Sequence, residues 1–174
     1  MVLSIFKVLW NNLKQGPSTD PFPFGETFTP ARLRGKVTVD PDSCVGCGVC
    51  ATVCAGNAIK HVEREDGSGK DFYVWHNTCT FCGMCQHYCP TDAISLTNDW
   101  STAHRNEDKY KMKEHVFIAY ARCSECDQAM PNMPHAMLDH IYGTPTEELE
   151  NIYSLCPECR RQKAAQQFGA HIHD

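Results

Sequence analysis

The chain has 174 residues and a mass of 19.6 kDa, and its apolar share of 42% is somewhat low for a globular protein. Its twelve cysteines therefore have to supply stability that a larger apolar core would otherwise provide. The net charge of −5 argues against nucleic acid as a partner. No signal-peptide cleavage site follows the N-terminal apolar residues, and all the cysteines lie in C-x-x-C units or their extensions, which favours metal binding in a reducing compartment over disulfides.

The first predicted element is an amphipathic helix over residues 1–14. At about 100° per residue, its apolar side chains fall on one broad arc: Met1, Val2, Leu3, Ile5, Phe6, Val8, Leu9, Trp10 and Leu13. The opposite, polar arc contains Ser4, Lys7, Asn11 and Lys14. Such a helix is too short to span a bilayer, so we expect it to lie in a membrane interface or in a groove of a membrane-bound partner. The alternative is a helix that folds back on the core of its own chain.

The segment that follows, residues 16–34, is predicted to be extended. It is rich in proline and glycine and contains three phenylalanines, a composition that rarely packs on itself. We expect this arm to lie across a partner surface. The chain is accordingly divided into a helix and docking arm (1–35), a cysteine-rich domain (36–100) and a C-terminal module (101–174).

An internal repeat dominates the second region. Residues 44–59 and 79–94 align at a spacing of 35 residues, and each reads C-x-x-C-G-x-C-x-x-x-C-x-x-x-A-I. Three cysteines at two-residue gaps surround one face of an iron–sulfur cubane, while the fourth, in a short helix, points away and binds the cluster of the other half. One [4Fe–4S] cluster is therefore assigned to Cys44, Cys47, Cys50 and Cys89, and the other to Cys79, Cys82, Cys85 and Cys54. Two zinc sites are the rejected alternative.

Short strands are predicted around this repeat. They cover residues 36–39 and 94–96, and residues 59–62 and 72–75 form a hairpin closed by a glycine-rich turn. Apolar residues are expected to cover the clusters: Val45, Val49, Ala58, Ile59, Phe81, Met84, Ala93 and Ile94. The predicted fold class is α+β, with short helices that carry Cys54 and Cys89.

The third region contains two further C-x-x-C pairs, at Cys123 and Cys126 and at Cys156 and Cys159. Four thiolates form a closed tetrahedral shell, which favours zinc. Mononuclear iron, a third iron–sulfur cluster and an empty site remain alternatives. Between the pairs, Thr144 or Thr146 is predicted to cap a helix that runs through Leu149 and Ile152.

Two histidines in the same segment, His135 and His140, are also candidate ligands. A surface role is expected for both, because the four cysteines already complete a zinc shell. Since zinc has no redox chemistry, we expect the site to fold a docking module.

Together, the N-terminal helix, the arm ending in residues 32–36 and the two interleaved cysteine motifs resemble the two-cluster ferredoxin subunit of respiratory complex I and group 4 [NiFe] hydrogenases. The C-terminal cysteine pairs, with the run from Cys156 to Lys163, resemble the formate hydrogenlyase and hydrogenase-4 members. The motif departs at Ala55, because proline follows the fourth cysteine only in the second half, at Pro90. Residues 101–119 and 164–174 carry no signal of the family.

The resemblance implies a peripheral electron-relay subunit on the cytoplasmic side of the cell membrane. It implies a further iron–sulfur protein as electron donor, the hydrogenase small and large subunits downstream, and a membrane-arm subunit that binds residues 1–35. No phosphate-binding loop, nickel ligand set or catalytic triad is recognised, so no small-molecule substrate is expected. The alternatives are a quinone-reducing relay of the complex I type, a freely diffusing ferredoxin, and a redox-sensing protein with a zinc docking module.

Overall fold

A computed structural model of the protein describes residues 4–144 and 146–167. The chain divides into two compact units, Met1–Leu33 and Arg34–Asp174. In chain order, the elements are α1 (Ile5–Gln15), β1 (Val37–Val39), α2 (Val49–Thr52), β2 (Ile59–Glu63), β3 (Gly69–Trp75), α3 (Met84–His87), β4 (Ile94–Leu96), β5 (Lys113–Arg122), β6 (Ala129–Pro131), α4 (His135–Tyr142), α5 (Glu147–Tyr153) and α6 (Pro157–Gln167).

The first unit contains the helix α1 and the segment that follows it. Every residue of α1 is exposed, including Phe6 at 80% and Leu13 at 77%. The predicted positions Met1, Val2 and Leu3 lie outside the described residues. Residues 16–33, all described, form turns but no helix or strand. Among the described helices, none combines the length and the apolar content needed to cross a membrane.

Two antiparallel ladders form the framework of the second unit, and they are related by the sequence repeat. In one ladder, Val39 pairs with Ile94 and Val37 pairs with Leu96, between β1 and β4. In the other, Val74 pairs with Ile59 and Phe72 pairs with His61, between β3 and β2. Each residue of the first ladder has its equivalent 35 positions away in the second, so the repeat extends from the cysteine loops into the strands. The predicted strands and hairpin are confirmed.

The short helices between the ladders differ in one respect from the prediction. Helices α2 and α3 each have four residues and carry Cys50 and Cys85, whereas Cys54 and Cys89 follow two residues after the helix ends. The reason is the short spacing, because a single helical turn is complete before the fourth cysteine is reached. Thus the fourth cysteine is supplied by a loop.

Strand β5, which was not predicted, is the longest strand of the sheet. It pairs antiparallel with β3 from Gly69 opposite Ala119 to Trp75 opposite Lys113, and it gives the strand order β2-β3-β5-β6. Gly69 permits this pairing, because a Cβ atom there would lie 2.1 Å from the carbonyl oxygen of Ile118. The Ile118 side chain is 2% exposed and packs in the core between the cysteine groups and the sheet.

The C-terminal part continues from this sheet. The predicted helix is confirmed as α5, and its N-cap is Thr146, whose hydroxyl accepts a hydrogen bond from the backbone N–H of Leu149. A second small core is formed by Cys123, Leu155 and Cys156, with Met130 and Cys159 packed against it. The mixture of short helices and antiparallel strands confirms the α+β class.

Because Ile118 connects β5 to the main core, we predict that Ile118→Ala destabilises the folded protein by about 2–5 kcal/mol, the usual cost of removing a buried isoleucine side chain. Thermal unfolding of the metal-loaded protein, followed by circular dichroism, is expected at a temperature lower by about 4–20 °C. Lys113→Ala, at an exposed position of the same strand, is the matched control. Equal melting temperatures for the two variants would contradict the role given to β5.

Candidate iron–sulfur and metal sites

The first group of predicted ligands lines one cavity. Its members are Cys44, Cys47, Cys50 and Cys89. The first three come from the loop that leads into α2, and the fourth comes from the loop after α3. The space between them that is free of protein atoms is about 280 Å³, part of it open to solvent. This grouping is the interleaved one that the sequence predicts, with three cysteines from one half and one from the other.

The second group lines an equivalent cavity on the other side of the core. Its members are Cys79, Cys82, Cys85 and Cys54. The space free of protein atoms is about 350 Å³. Cys50 and Cys85 are the buried members of the two groups, and Cys47 and Cys82 are the exposed ones. The two sites are therefore equivalent in burial as well as in sequence.

The backbone around the cysteines repeats the same unusual conformation in each half. Left-handed φ angles occur in pairs: Gly46 (65°) and Phe81 (51°), Gly48 (79°) and Gly83 (81°), Asn57 (47°) and Asp92 (53°). Glycine adopts this region without strain, whereas Phe81 adopts it as a non-glycine residue. Since Gly48 and Gly83 are the N-caps of α2 and α3, they turn each loop into its helix between the second and third cysteines.

Backbone amides point at two sulfur atoms of the second group. The N–H of Ala58 donates to Cys54 Sγ at 3.2 Å, and the N–H of Phe81 donates to Cys79 Sγ at 3.4 Å. Such donors stabilise thiolates, which are the form that binds iron.

Burial has the opposite effect on several thiols. Desolvation, followed by the like charge of Cys44, raises the pKa of Cys50 to about 12. Desolvation also raises the pKa of Cys44, Cys79 and Cys85. Four thiolates crowded together thus need a cation to offset their charge. The donor set and its apolar surroundings fit an iron–sulfur cluster in each cavity.

The apolar cover of the cavities agrees with the sequence prediction. The first cavity is lined by Val45, Val49 and Ile94, and the second by Ile59, Phe81 and Met84. Ala58 and Ala93 are buried beneath them.

Two basic side chains that contact the cysteine loops from other parts of the chain were not predicted as site residues. The Lys70 ammonium donates to the carbonyl oxygen of Gly46 at 3.4 Å, next to the first group. The Arg34 guanidinium donates to the carbonyl oxygen of Cys82 at 2.6 Å, in the second. The pKa of the Cys82 thiol is lowered mainly by the N–H of Met84, with a smaller contribution from the charge of Arg34. Sequence reasoning assigned Lys70 to a turn and Arg34 to the arm, because both lie far along the chain from the loops they contact.

His61 is a third residue that sequence reasoning missed. It lies on β2 and lines the first cavity, where its Nε2 is 3.5 Å from Cys50 Sγ. No spacing in the sequence pointed to this contact, because it depends on the pairing of the hairpin.

The C-terminal cysteines converge as the sequence predicts. The sulfur atoms of Cys123, Cys126, Cys156 and Cys159 all lie within 4.8 Å of one another. Cys123 follows the end of β5, and Cys156 directly precedes α6. The histidines His135 and His140 are exposed on α4 and do not belong to this group.

Backbone N–H groups donate hydrogen bonds to sulfurs of the C-terminal group and affect the pKa values of its thiols. The N–H of Cys156 donates to Cys123 Sγ at 3.2 Å, and the N–H of Cys159 donates to Cys156 Sγ at 3.4 Å. Hydrogen bonds from the backbone of Cys156 and Cys126 lower the pKa of Cys123 to about 6. Hydrogen bonds to the sulfurs of Cys156 and Cys126 raise the pKa of Cys159, because they favour its protonated form, which can act as the donor. The four thiols are thus arranged to hold a single cation.

Comparisons with known proteins agree with the cysteine geometry. Residues 43–93 match the family described as a 4Fe-4S dicluster domain. Formate hydrogenlyase subunit 6 of Escherichia coli is 29% identical over 172 residues, which cover 91% of this chain and 90% of that protein. The ferredoxin of Thermococcus litoralis is 39% identical over 62 residues, which cover 35% of this chain and 97% of that protein.

A third relative is the NAD(P)H-quinone oxidoreductase subunit I of Gloeobacter violaceus, 27% identical over 149 residues. The match covers 82% of this chain and 64% of that longer protein. The dicluster motif, whose eight cysteines line two cavities, means that the protein binds two [4Fe–4S] clusters. The chain belongs to the family of ferredoxin-like electron-transfer proteins with two [4Fe–4S] clusters, which includes the iron–sulfur subunits of complex I-like enzymes and of formate hydrogenlyase.

Proposed function

We propose that this protein is the electron-relay subunit of a membrane-associated group 4 [NiFe] hydrogenase complex of the formate hydrogenlyase type. The observation that carries the proposal is the combination of two four-cysteine cavities in one core with a third four-cysteine group at the C-terminus. The similarity to formate hydrogenlyase subunit 6, which extends over nine tenths of both chains, supports the same assignment.

The grouping of the cysteines in the two cavities supports the proposed ligand sets. The first cluster is assigned to Cys44, Cys47, Cys50 and Cys89, and the second to Cys79, Cys82, Cys85 and Cys54. Each bound cluster supplies a site that gains or loses one electron at a time. The residues of this chain hold the sites side by side, keep water from their inner faces with apolar side chains, and direct backbone N–H groups at the sulfurs.

The proposed partners lie on both sides of this relay. A further iron–sulfur protein is the electron donor, and the hydrogenase small subunit is the acceptor, next to the large subunit that carries the catalytic centre. The chain is a peripheral subunit on the cytoplasmic side of the cell membrane. Residues 1–35 are its contact with the membrane arm, and residues 36–100 and 101–174 are the cluster domain and the C-terminal module.

Exposure in the N-terminal unit supports the membrane-arm contact. Helix α1 presents large apolar side chains to solvent, with Ile5 at 73%, Phe6 at 80% and Leu9 at 60% exposed. Phe24 and Phe28, in the following segment, are 96% and 82% exposed. Apolar side chains gathered in so short a segment are costly to leave in water and are typical of a binding surface.

At the C-terminal group we propose one zinc ion. Four cysteines with sulfurs less than 5 Å apart form a closed shell without room for substrate, which is the arrangement of structural zinc sites. The group lies in its own small core with Leu155, so the ion would hold together the ends of β5 and α6.

A quinone-reducing relay of the complex I type is the second candidate function, and the similarity to NAD(P)H-quinone oxidoreductase subunit I favours it. Purification of the native complex distinguishes the two, because the co-purifying catalytic subunit contains nickel in one case and not in the other. Purification of this chain alone, free of other subunits, would instead favour a diffusible ferredoxin.

The ligand sets predict a specific pattern in paired cysteine variants. Because Cys44 and Cys89 hold the same cluster, the double variant Cys44→Ser/Cys89→Ser is expected to lose one cluster and keep about four iron atoms. Cys44→Ser/Cys54→Ser affects both clusters and is expected to retain almost no iron. Iron and sulfide analysis of anaerobically prepared protein measures both. The reverse order of iron contents would mean that each half binds its own cluster.

The zinc assignment predicts about eight iron atoms and one zinc per chain. Cys159→Ser is expected to remove the zinc and weaken assembly while the assembled fraction keeps both iron–sulfur clusters, since closed zinc sites contribute directly to folding. Metal analysis and reduced electron paramagnetic resonance (EPR) spectra of the complex test this. If the variant assembles fully but loses a reducible signal, the site is redox-active and the assignment to zinc is wrong.

A third prediction concerns the apolar face of α1. Phe6→Asp/Leu9→Asp is expected to release the subunit from its complex without loss of either cluster, because burial of these large side chains at ~1.5 kcal/mol or more each stabilises the association. Ser4→Asp/Asn11→Asp adds the same charges to the polar arc and is the matched control. Co-purification from the native host measures both. Normal recovery of the Phe6/Leu9 variant would mean that the apolar arc is not the contact.

A further inference from the structure

We propose that His61 donates a hydrogen bond to the Cys50 thiolate and thereby raises the reduction potential of the first cluster without a comparable effect on the second. The inference rests on the ligand sets of the proposed function and concerns the difference between the two clusters. It makes His61 a positioning and tuning residue, which acts on the cluster through a ligand sulfur.

The geometry around His61 supports this role. Its Nε2 is 3.5 Å from Cys50 Sγ, and the ring lines the same cavity as the four cysteines. The ring is held in place by Phe72, its cross-strand partner, in an edge-to-face contact with centroids 4.6 Å apart. The nitrogen therefore faces the sulfur because of the hairpin register.

The other ring nitrogen identifies the tautomer. Nδ1 is buried and has no hydrogen-bond partner within the described part of the chain. A buried N–H without an acceptor is rarer in proteins than an acceptor that lacks a donor. The proton therefore belongs on Nε2, where it meets the thiolate, and the lone pair belongs on Nδ1.

The internal repeat shows which residue occupies the position of His61 beside the second cluster. The position equivalent to His61 is Leu96, since Leu96 pairs with Val37 as His61 pairs with Phe72. Leucine has no donor. Hydroxyl groups lie near sulfurs of both groups: Thr91 is 3.7 Å from Cys89 Sγ in the first, and Thr80 is hydrogen-bonded to Cys82 in the second. Hydroxyl donors therefore do not distinguish the two clusters as His61 does.

The electrostatic consequence has a definite sign. Reduction adds one electron to a cluster and makes its thiolate ligands more negative. A donor hydrogen-bonded to a ligand sulfur stabilises this reduced state more than the oxidised one, so the potential rises. No proton is transferred, because His61 keeps its N–H throughout.

The test is an EPR-monitored redox titration of the full-length protein loaded with both clusters. His61→Leu installs the residue of the equivalent position and is expected to shift one midpoint potential to more negative values while the other stays unchanged. His61→Gln, which keeps an N–H donor, is expected to give a smaller shift. His104→Leu is the matched control, since His104 is exposed and its hydrogen bond within the described residues is to the carbonyl oxygen of Thr102.

A second measurement detects the contact between the histidine and the cluster directly. In protein labelled with ¹⁵N-histidine, pulsed EPR is expected to detect a histidine nitrogen coupled to one reduced cluster, and His61→Gln is expected to abolish that coupling. No coupling, equal shifts of both potentials, or a positive shift in His61→Leu would overturn the proposal. Iron content separates this result from failure of the cluster assignment. That assignment fails if the unmodified protein holds fewer than two clusters, or if the paired cysteine variants show the reverse order of iron contents.

Discussion

The convergence of four thiols from two separate loops, repeated twice, is the constraint on which the rest of the fold depends. Neither half of the repeat lines a four-cysteine cavity alone, since each cavity takes its fourth cysteine from the other half. Burial raises the pKa of Cys50 and Cys85. Without metal, the folded core therefore contains crowded, protonated thiols where the cluster would form iron–sulfur bonds. Cluster binding therefore stabilises the contact between the halves, and the two ladders are its protein scaffold.

Much of this framework was predictable because the cysteine register fixes what surrounds it. Once residues 44–59 and 79–94 are aligned, the strands before and after each loop must occupy equivalent places, and the two observed ladders do so. The hairpin was predictable from its glycine-rich turn, and α5 from the threonine at its cap. These features depend on local sequence or on the repeat itself.

Most of the features that were not predicted depend on contacts between different segments of the chain. Strand β5 joins β3 across the 37 residues between Trp75 and Lys113, and nothing in residues 113–122 alone identifies that partner. Arg34 and Lys70 contact cysteine loops that are remote in sequence, and His61 reaches Cys50 only through the hairpin register. The C-terminal cysteine group was found from its spacing, but its position at the end of a strand of the central sheet was not.

That position explains how one chain connects the core of the cluster cavities to the C-terminal cysteine group. Strand β5 carries Ile118 into the main core and ends at Arg122, beside Cys123. There the N–H of Cys123 donates to the carbonyl oxygen of Gln128, and Cys123 Sγ accepts from the backbone of Cys156. The proposed metal ion at this end would stabilise the junction of β5 with the C-terminal helices, whereas Ile118 belongs to the main core beside the cluster cysteines. Loss of the proposed ion would thus act first on the C-terminal part, while the apolar walls of the cluster cavities, which belong to a different core, would remain in place.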